Sequence, residues 1–174
     1  MRTIWLGVGM MLLALAACHK ADTAEGDDGI MAAPADYTPA QKAFIAASFP
    51  APYATADLVD GEKQFGKCRS CHTIAASQAV MVGPPLYGVF GRKSGTFPGY
   101  PYSDAMVAHN TVWDFDTLDI YLTSPQTVVK GTKMGFGGFH DDDKARRDLI
   151  AYLKLEDEVH ALPAAGADSA SASN

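Results

Sequence analysis

Thiols are scarce in this 174-residue chain, which has 3 cysteines, and positive charge is in deficit, with Lys+Arg 14 against Asp+Glu 20. The charge balance excludes the basic stripe with which a nucleic-acid-binding domain holds phosphate. The cysteine count excludes a zinc site built from two cysteine pairs, because Cys68 and Cys71 leave only Cys18, fifty residues upstream. His109, His140 and His160 are scattered and supply no second half-site. No internal repeat divides the chain, and no alternating apolar run of strand type lies near the cysteine pair. The longest apolar stretch, residues 4–15, falls short of the ~20 residues that cross a bilayer.

That stretch instead reads as a leader. Arg2 precedes it, and it ends Leu15-Ala16-Ala17-Cys18. The ending resembles the lipobox of bacterial lipoproteins, in which the cysteine sulfur is diacylated before cleavage ahead of it. Residues 1–17 are therefore expected to be a lipoprotein signal peptide, and Cys18 the lipid-attachment residue. Residues 18–53 are expected to form a flexible tether. ADTAEGDDG is small and acidic, and Pro34, Pro39, Pro50 and Pro52 punctuate the rest of it. Within it, residues 39–48 can form a short helix with Phe44 and Ile45 on one side. Residues 161–174 read as a disordered tail of Ala, Ser and Gly. Residues 54–160 hold the informative features.

Chief among these is CRSCH, residues 68–72. Two cysteines at this spacing suit a thiol–disulfide redox pair, half of a zinc site, a structural disulfide in an exported protein, or covalent attachment of c-type haem. The chemistry favours the last. Two thiols one helical turn apart can add to two adjacent vinyl groups of a porphyrin, and the next residue then presents an imidazole to the iron. A redox dithiol has no need of His72. A haem iron in an electron carrier also needs a sixth ligand, and methionine opposite histidine raises the potential. Outside the leader and tether, Met81, Met106 and Met134 remain. Methionine is usually core filler, but Met134 sits in GTKMGFGG, where five of eight residues are Gly or Thr. That is a loop, free to bring a thioether to the metal.

From residue 57 to 155 the chain resembles a class I cytochrome c of the mitochondrial and related bacterial type. The resemblance rests on GEKQFGKCRSCH, GPPLYGVFGRKSG, PGYPYSDA, Trp113, IYLTSP, GTKMGF and LIAYLK, in that order. It implies thioether bonds at Cys68 and Cys71, His72 as proximal ligand and Met134 as distal ligand. It further implies that the Pro84 carbonyl accepts the imidazole N–H, and that Arg92, Tyr102 and Trp113 attend a buried propionate. Tyr121 and Thr132 would bring hydroxyls to the methionine. The fold implied is all-α, with 3–5 helices and long loops wrapped around one haem. Helices are expected over residues 57–67, 103–110, 118–125 and 143–157, the last presenting Leu149, Tyr152 and Leu153 as an apolar face. A domain this small has a limited core, to which the porphyrin would add apolar surface.

The chain departs from the family pattern at three places. Lys130 stands where many members have proline, Met106 where a polar residue is common, and Asp141-Asp142-Asp143 replaces a lysine cluster. Residues 54–160 carry 11 Lys+Arg and 14 Asp+Glu, a net charge of -3. Lys67, Arg69, Lys93, Lys130 and Lys133 can still ring the haem edge. The resemblance implies a monohaem one-electron carrier rather than an enzyme, with no small-molecule substrate and no nucleic acid. It would be lipid-anchored on the periplasmic side of a bacterial envelope. Its expected redox partners are a membrane quinol-oxidising complex, a terminal oxidase or a dehydrogenase. Alternatives are a fixed electron-entry subunit of such a complex, a haem peroxidase with an open sixth position, and a thiol oxidoreductase.

Overall fold

Short oxygen-bearing side chains open most of the helices. The computed structural model describes residues 37–74 and 79–161, and within them it holds six α-helices and no β-pairing beyond a bridge between Lys93 and Val112. These are α1 (Pro39–Ala46), α2 (Leu58–Phe65), α3 (Asp104–His109), α4 (Phe115–Thr123), α5 (Pro125–Val128) and α6 (Asp143–Ala161). Thr38, Asp57, Ser103 and Asp114 cap the first four, each accepting an amide hydrogen bond that the first turn cannot satisfy internally. Asp142 accepts from the Ala145 amide at 3.0 Å at the start of α6, and Asp143 adds negative charge in its first turn. The acidic triplet is thus a helix start. The all-α class is as expected, and α2–α6 run from Leu58 to Ala161.

The helix bounds depart furthest from the sequence reading in α4 and α6. The helix expected over 118–125 begins earlier, at Phe115, because Asp114 and Thr117 form a capping box. It stops at Thr123, ahead of Pro125, which opens the single turn of α5. The helix expected over 143–157 runs on to Ala161, since Asp157 and Val159 are still buried.

Gly61 lets α2 and α6 touch. A Cβ at this position would stand 2.2 Å from the Asp148 carbonyl oxygen and 2.7 Å from the Tyr152 Cβ. One turn on, Phe65 packs on Tyr152 with ring centroids 5.9 Å apart. Asp148 has no exposed surface, and its carboxylate receives the Asp57 amide at 3.2 Å, the Arg147 guanidinium at 3.0 Å and the Lys144 ammonium. A carboxylate survives such burial only with donors of this kind. Arg146 ties α6 to α4 through Asp119 at 2.7 Å and braces its own first turn through Asp143 at 2.9 Å. Leu149, Ile150, Ala151, Leu153 and Leu155 are all buried, so α6 is enclosed on most sides and forms the centre of the core.

The structure corrects the extent of the tether, which the sequence reading carried to residue 53. α1 and a 3-10 turn at Tyr53–Thr55 pack on α6, and Ala46, Phe49 and Tyr53 belong to the core. The Tyr53 ring lies 4.5 Å from that of Phe115 and its hydroxyl donates to the Phe115 carbonyl at 3.3 Å; Phe49 meets the same ring at 5.7 Å. Burial, with the charges of Asp119 and Asp116 nearby, pushes the Tyr53 phenol up to about 12. Pro39 is not a linker break but sits in the first turn of α1, and the buried face carries Ala46 rather than Phe44, which is 82% exposed. The leader 1–17, Cys18, the rest of the tether to residue 36 and the tail from residue 162 lie outside the described residues.

Tyr53→Ala removes a buried ring and is expected to destabilise the haem-loaded protein by about 3–5 kcal/mol. Guanidinium unfolding checks this, and an unchanged midpoint would return residues 38–55 to the role of a linker.

Candidate functional site

Tight turns continue the chain beyond α2. The Cys68 amide donates to the Phe65 carbonyl at 2.8 Å, and the amides of Cys71 and His72 donate to the Cys68 carbonyl at 3.0 and 2.9 Å. These turns bring both thiols and the imidazole to the wall of one cavity of about 610 Å³. Cys68, Cys71, His72, Pro84, Arg92, Tyr102, Trp113, Tyr121, Thr132 and Met134 all line it. The structure therefore brings together every site residue expected from the sequence except Cys18, which lies outside the described residues.

His72 Nδ1 lies 2.7 Å from the Pro84 carbonyl oxygen. A carbonyl only accepts, so His72 donates Nδ1–H and keeps the lone pair of Nε2 for a metal. Burial pushes the His72 pKa down and the Arg92 charge adds to this, against the opposing pull of the Pro84 bond. The neutral imidazole, which is the ligating form, is favoured. Gly83 lies flat against the ring, where a Cβ would stand 2.4 Å from His72 Cε1. Cys68 and Cys71 are not joined to each other in a disulfide. Burial pushes the Cys68 thiol up to about 11, the reverse of the lowered pKa that activates a redox dithiol.

Met134 is carried by an irregular segment between α5 and α6, as its glycines suggest. Gly138, at φ +101, lets this segment pass α4, since a Cβ there would stand 2.2 Å from the Thr123 carbonyl oxygen. Tyr121 Oη lies 3.3 Å from Met134 Sδ and 3.2 Å from Thr132 Oγ1, which in turn accepts the Met134 amide at 3.3 Å. Proton counting orients this chain. The sulfur can only accept, so Tyr121 donates to it, and Thr132 donates to Tyr121. Burial raises the Tyr121 pKa, which keeps the donated proton in place.

Elsewhere on the wall, Trp113 and Arg92 are joined through their backbones, the Trp113 amide donating to the Arg92 carbonyl at 2.9 Å. The Arg92 guanidinium donates to the carbonyls of Pro85 at 2.7 Å and Tyr87 at 3.2 Å. It has five N–H groups, so donors remain for an anion. Burial raises the Tyr102 phenol, with the Arg92 charge opposing.

Several lining or supporting residues escaped the sequence reading. Tyr100 donates to the Val82 carbonyl at 2.9 Å and sets its ring edge-on to Tyr102 at 4.7 Å. Gln126, exposed on α5, donates its amide to the carbonyls of both Thr132 and Met134 and so clips the methionine loop to a helix. A polar side chain just after Pro125 is the one sequence signal of the clip. Met106, which the sequence reading did single out, is buried and adds to the apolar wall.

The walls are mostly apolar, with Leu86, Val89, Leu118, Leu122, Phe136 and Leu153 among them, while Arg92, Tyr102 and Trp113 lie together at the cavity. An apolar macrocycle with anionic side groups, a central metal and two vinyl carbons fits such a lining. Gly83, which leaves no room for a Cβ beside the imidazole, fits it too.

The cytochrome c family model matches residues 58–155. Cytochrome c of Kluyveromyces lactis is 43% identical over 105 residues, covering 60% of this chain and 94% of that protein. Cytochrome c2 of Blastochloris viridis is 41% identical over 64% of this chain and 87% of its own length. Cytochrome c2 of Rhodomicrobium vannielii is 45% identical over 60% and 82%. With both thiols of a CxxCH motif at a cavity of this chemistry, the chain belongs to the cytochrome c family, as a class I c-type cytochrome that binds haem c covalently and carries electrons between redox proteins rather than acting as an enzyme.

Proposed function

We propose that this cytochrome is a membrane-tethered one-electron carrier of a bacterial envelope electron-transport chain. The observation that supports it most is that His72, whose Nδ1–H is donated to the Pro84 carbonyl, and Met134, fixed by the Tyr121 hydroxyl, line one cavity with Cys68 and Cys71. Bound there, haem c supplies a reversible one-electron change at its iron. Cys68 and Cys71 would hold the macrocycle and His72 and Met134 would ligate its metal, which would leave no site for a substrate. Arg92, Tyr102 and Trp113 accommodate a carboxylate that would be costly to bury alone.

Export and anchoring follow from the leader. Residues 1–17 would be removed, Cys18 would carry the lipid on the periplasmic side, and residues 18–37 would connect it to the packed domain. Two acyl chains anchor stably where one does not. Among the described residues no helix is long and apolar enough to cross a membrane. Lys67 and Lys133 line the cavity while remaining exposed, and Arg69, Lys93 and Lys130 are exposed as well. These cations give a local docking surface for a quinol-oxidising complex or dehydrogenase as donor and a terminal oxidase as acceptor.

Three measurements test this reading. The wild type should show sharp reduced c-type absorption bands and a weak oxidised far-red sulfur-to-iron band. Met134→Ala should lose only the latter, and bands without it in the wild type would favour a peroxidase-like open position. Tyr121→Phe should lower the reduction potential, because a sulfur freed from the hydroxyl proton donates better to ferric iron. Redox titration checks the sign. Cys18→Ser should move the protein from the membrane fraction to the soluble fraction of the envelope, and retention in the membrane would overturn the lipid anchor.

A further inference from the structure

Asp157 lies on α6, two residues beyond the segment the family model matches, and its carboxylate faces the loop that joins Pro84 to Arg92. The residue is only 8% exposed. Oδ1 accepts the Gly88 amide at 2.7 Å and Oδ2 accepts the Phe90 amide at 3.2 Å. Burial pushes its carboxyl above the ordinary range, and the two amides, with the charges of Lys154 and Arg92, oppose this. Lys154 itself lies over the Phe90 ring at 5.3 Å and pairs with Glu158.

The loop needs anchors of this kind. Pro84 and Pro85 have no amide hydrogens, so neither can be held by a donor of its own. Leu86 supplies the first amide, donating to the Thr73 carbonyl at 2.8 Å. Arg92 takes the carbonyls of Pro85 and Tyr87. Gly88, at φ +65, turns the chain where the amides of residues 88 and 90 meet the carboxylate. A cation thus holds two of the loop's carbonyls and an anion holds two of its amides. The first residue of the loop, Pro84, presents the carbonyl that receives His72 Nδ1–H.

We propose that Asp157 is a positioning residue for the proximal ligand: by capping the 88–90 turn it holds the 84–92 loop to α6, fixes the Pro84 carbonyl on His72 Nδ1–H, and so sets the donor strength of the imidazole. This rests on His72 as the proximal ligand. A firm Nδ1–H bond raises ligand basicity and favours the ferric state. Loosening it makes the imidazole a poorer donor and raises the reduction potential.

The test uses the haem-loaded full-length protein as wild type, Asp157→Ala, Asp157→Asn and Glu158→Gln. Two quantities are read: the midpoint potential, and the hydrogen-exchange rate of His72 Nδ1–H followed by proton NMR of the reduced protein. Asp157→Ala should exchange about tenfold faster than wild type and titrate at a higher potential. Asp157→Asn, which keeps one oxygen acceptor, should fall between. Glu158→Gln removes a neighbouring carboxylate that makes no bond to the loop, and its exchange should match wild type. Exchange at the wild-type rate in the Asp157 variants would overturn the proposal. So would an equal rise in potential in Glu158→Gln, since charge acting through space would then suffice. If Asp157→Ala does not load haem, Asp157→Asn decides by the same two readings. A wild type without c-type bands would overturn the ligation itself, whereas intact bands with unchanged exchange would overturn only the role of Asp157.

Discussion

The contact between Gly61 and the Asp148 carbonyl carries the rest of the architecture. α2 leads directly into the turns that bear Cys68, Cys71 and His72, so the position of α2 is the position of the attachment site. α6, against which it lies, also bears Asp148 toward the start of α2, Arg146 toward α4 and Asp157 toward the Pro84 loop. Separate parts of the cavity wall thus refer back to one helix. Removing a side chain at residue 61 is what brings the two backbones close enough for Phe65 and Tyr152 to pack.

Charge inside the fold is handled by saturation rather than avoidance. Asp148 is wholly buried yet has an amide, a guanidinium and an ammonium around it. Arg146 meets two carboxylates, although its Nη1 remains buried without a partner. Asp157 uses backbone amides instead of a cation. Each solution gives direction as well as compensation, because a buried charge tolerates few geometries.

Much of the site was legible in the sequence because its chemistry is local or punctuated. CRSCH is contiguous, and the glycines around Met134 announce a loop. The Pro84 carbonyl, by contrast, came only with the family resemblance, since a backbone acceptor leaves no side-chain signature. Gln126 and Asp157 were scarcely legible. Each is a polar residue on a helix, which reads as a solvated face, and its partners are backbone groups that sequence patterning cannot display. The packing of residues 38–53 was missed for a related reason. Prolines and small residues suggested a linker, while the burial of Phe49 and Tyr53 depends on a ring, Phe115, more than sixty residues away.

The N-terminal clamp has a mechanical consequence. Any pull arriving along the chain ahead of residue 38 meets α1 first, then the aromatic cluster of Phe49, Tyr53 and Phe115 and the Lys42–Glu156 pair. The load passes into α4 and α6 before it can reach the Asp57 cap of α2. A chain that entered directly at α2 would transmit the same tension into the turns carrying the thiols and the imidazole. Like the grip on a cable where it enters a housing, the clamp isolates the working part from the motion of whatever lies upstream.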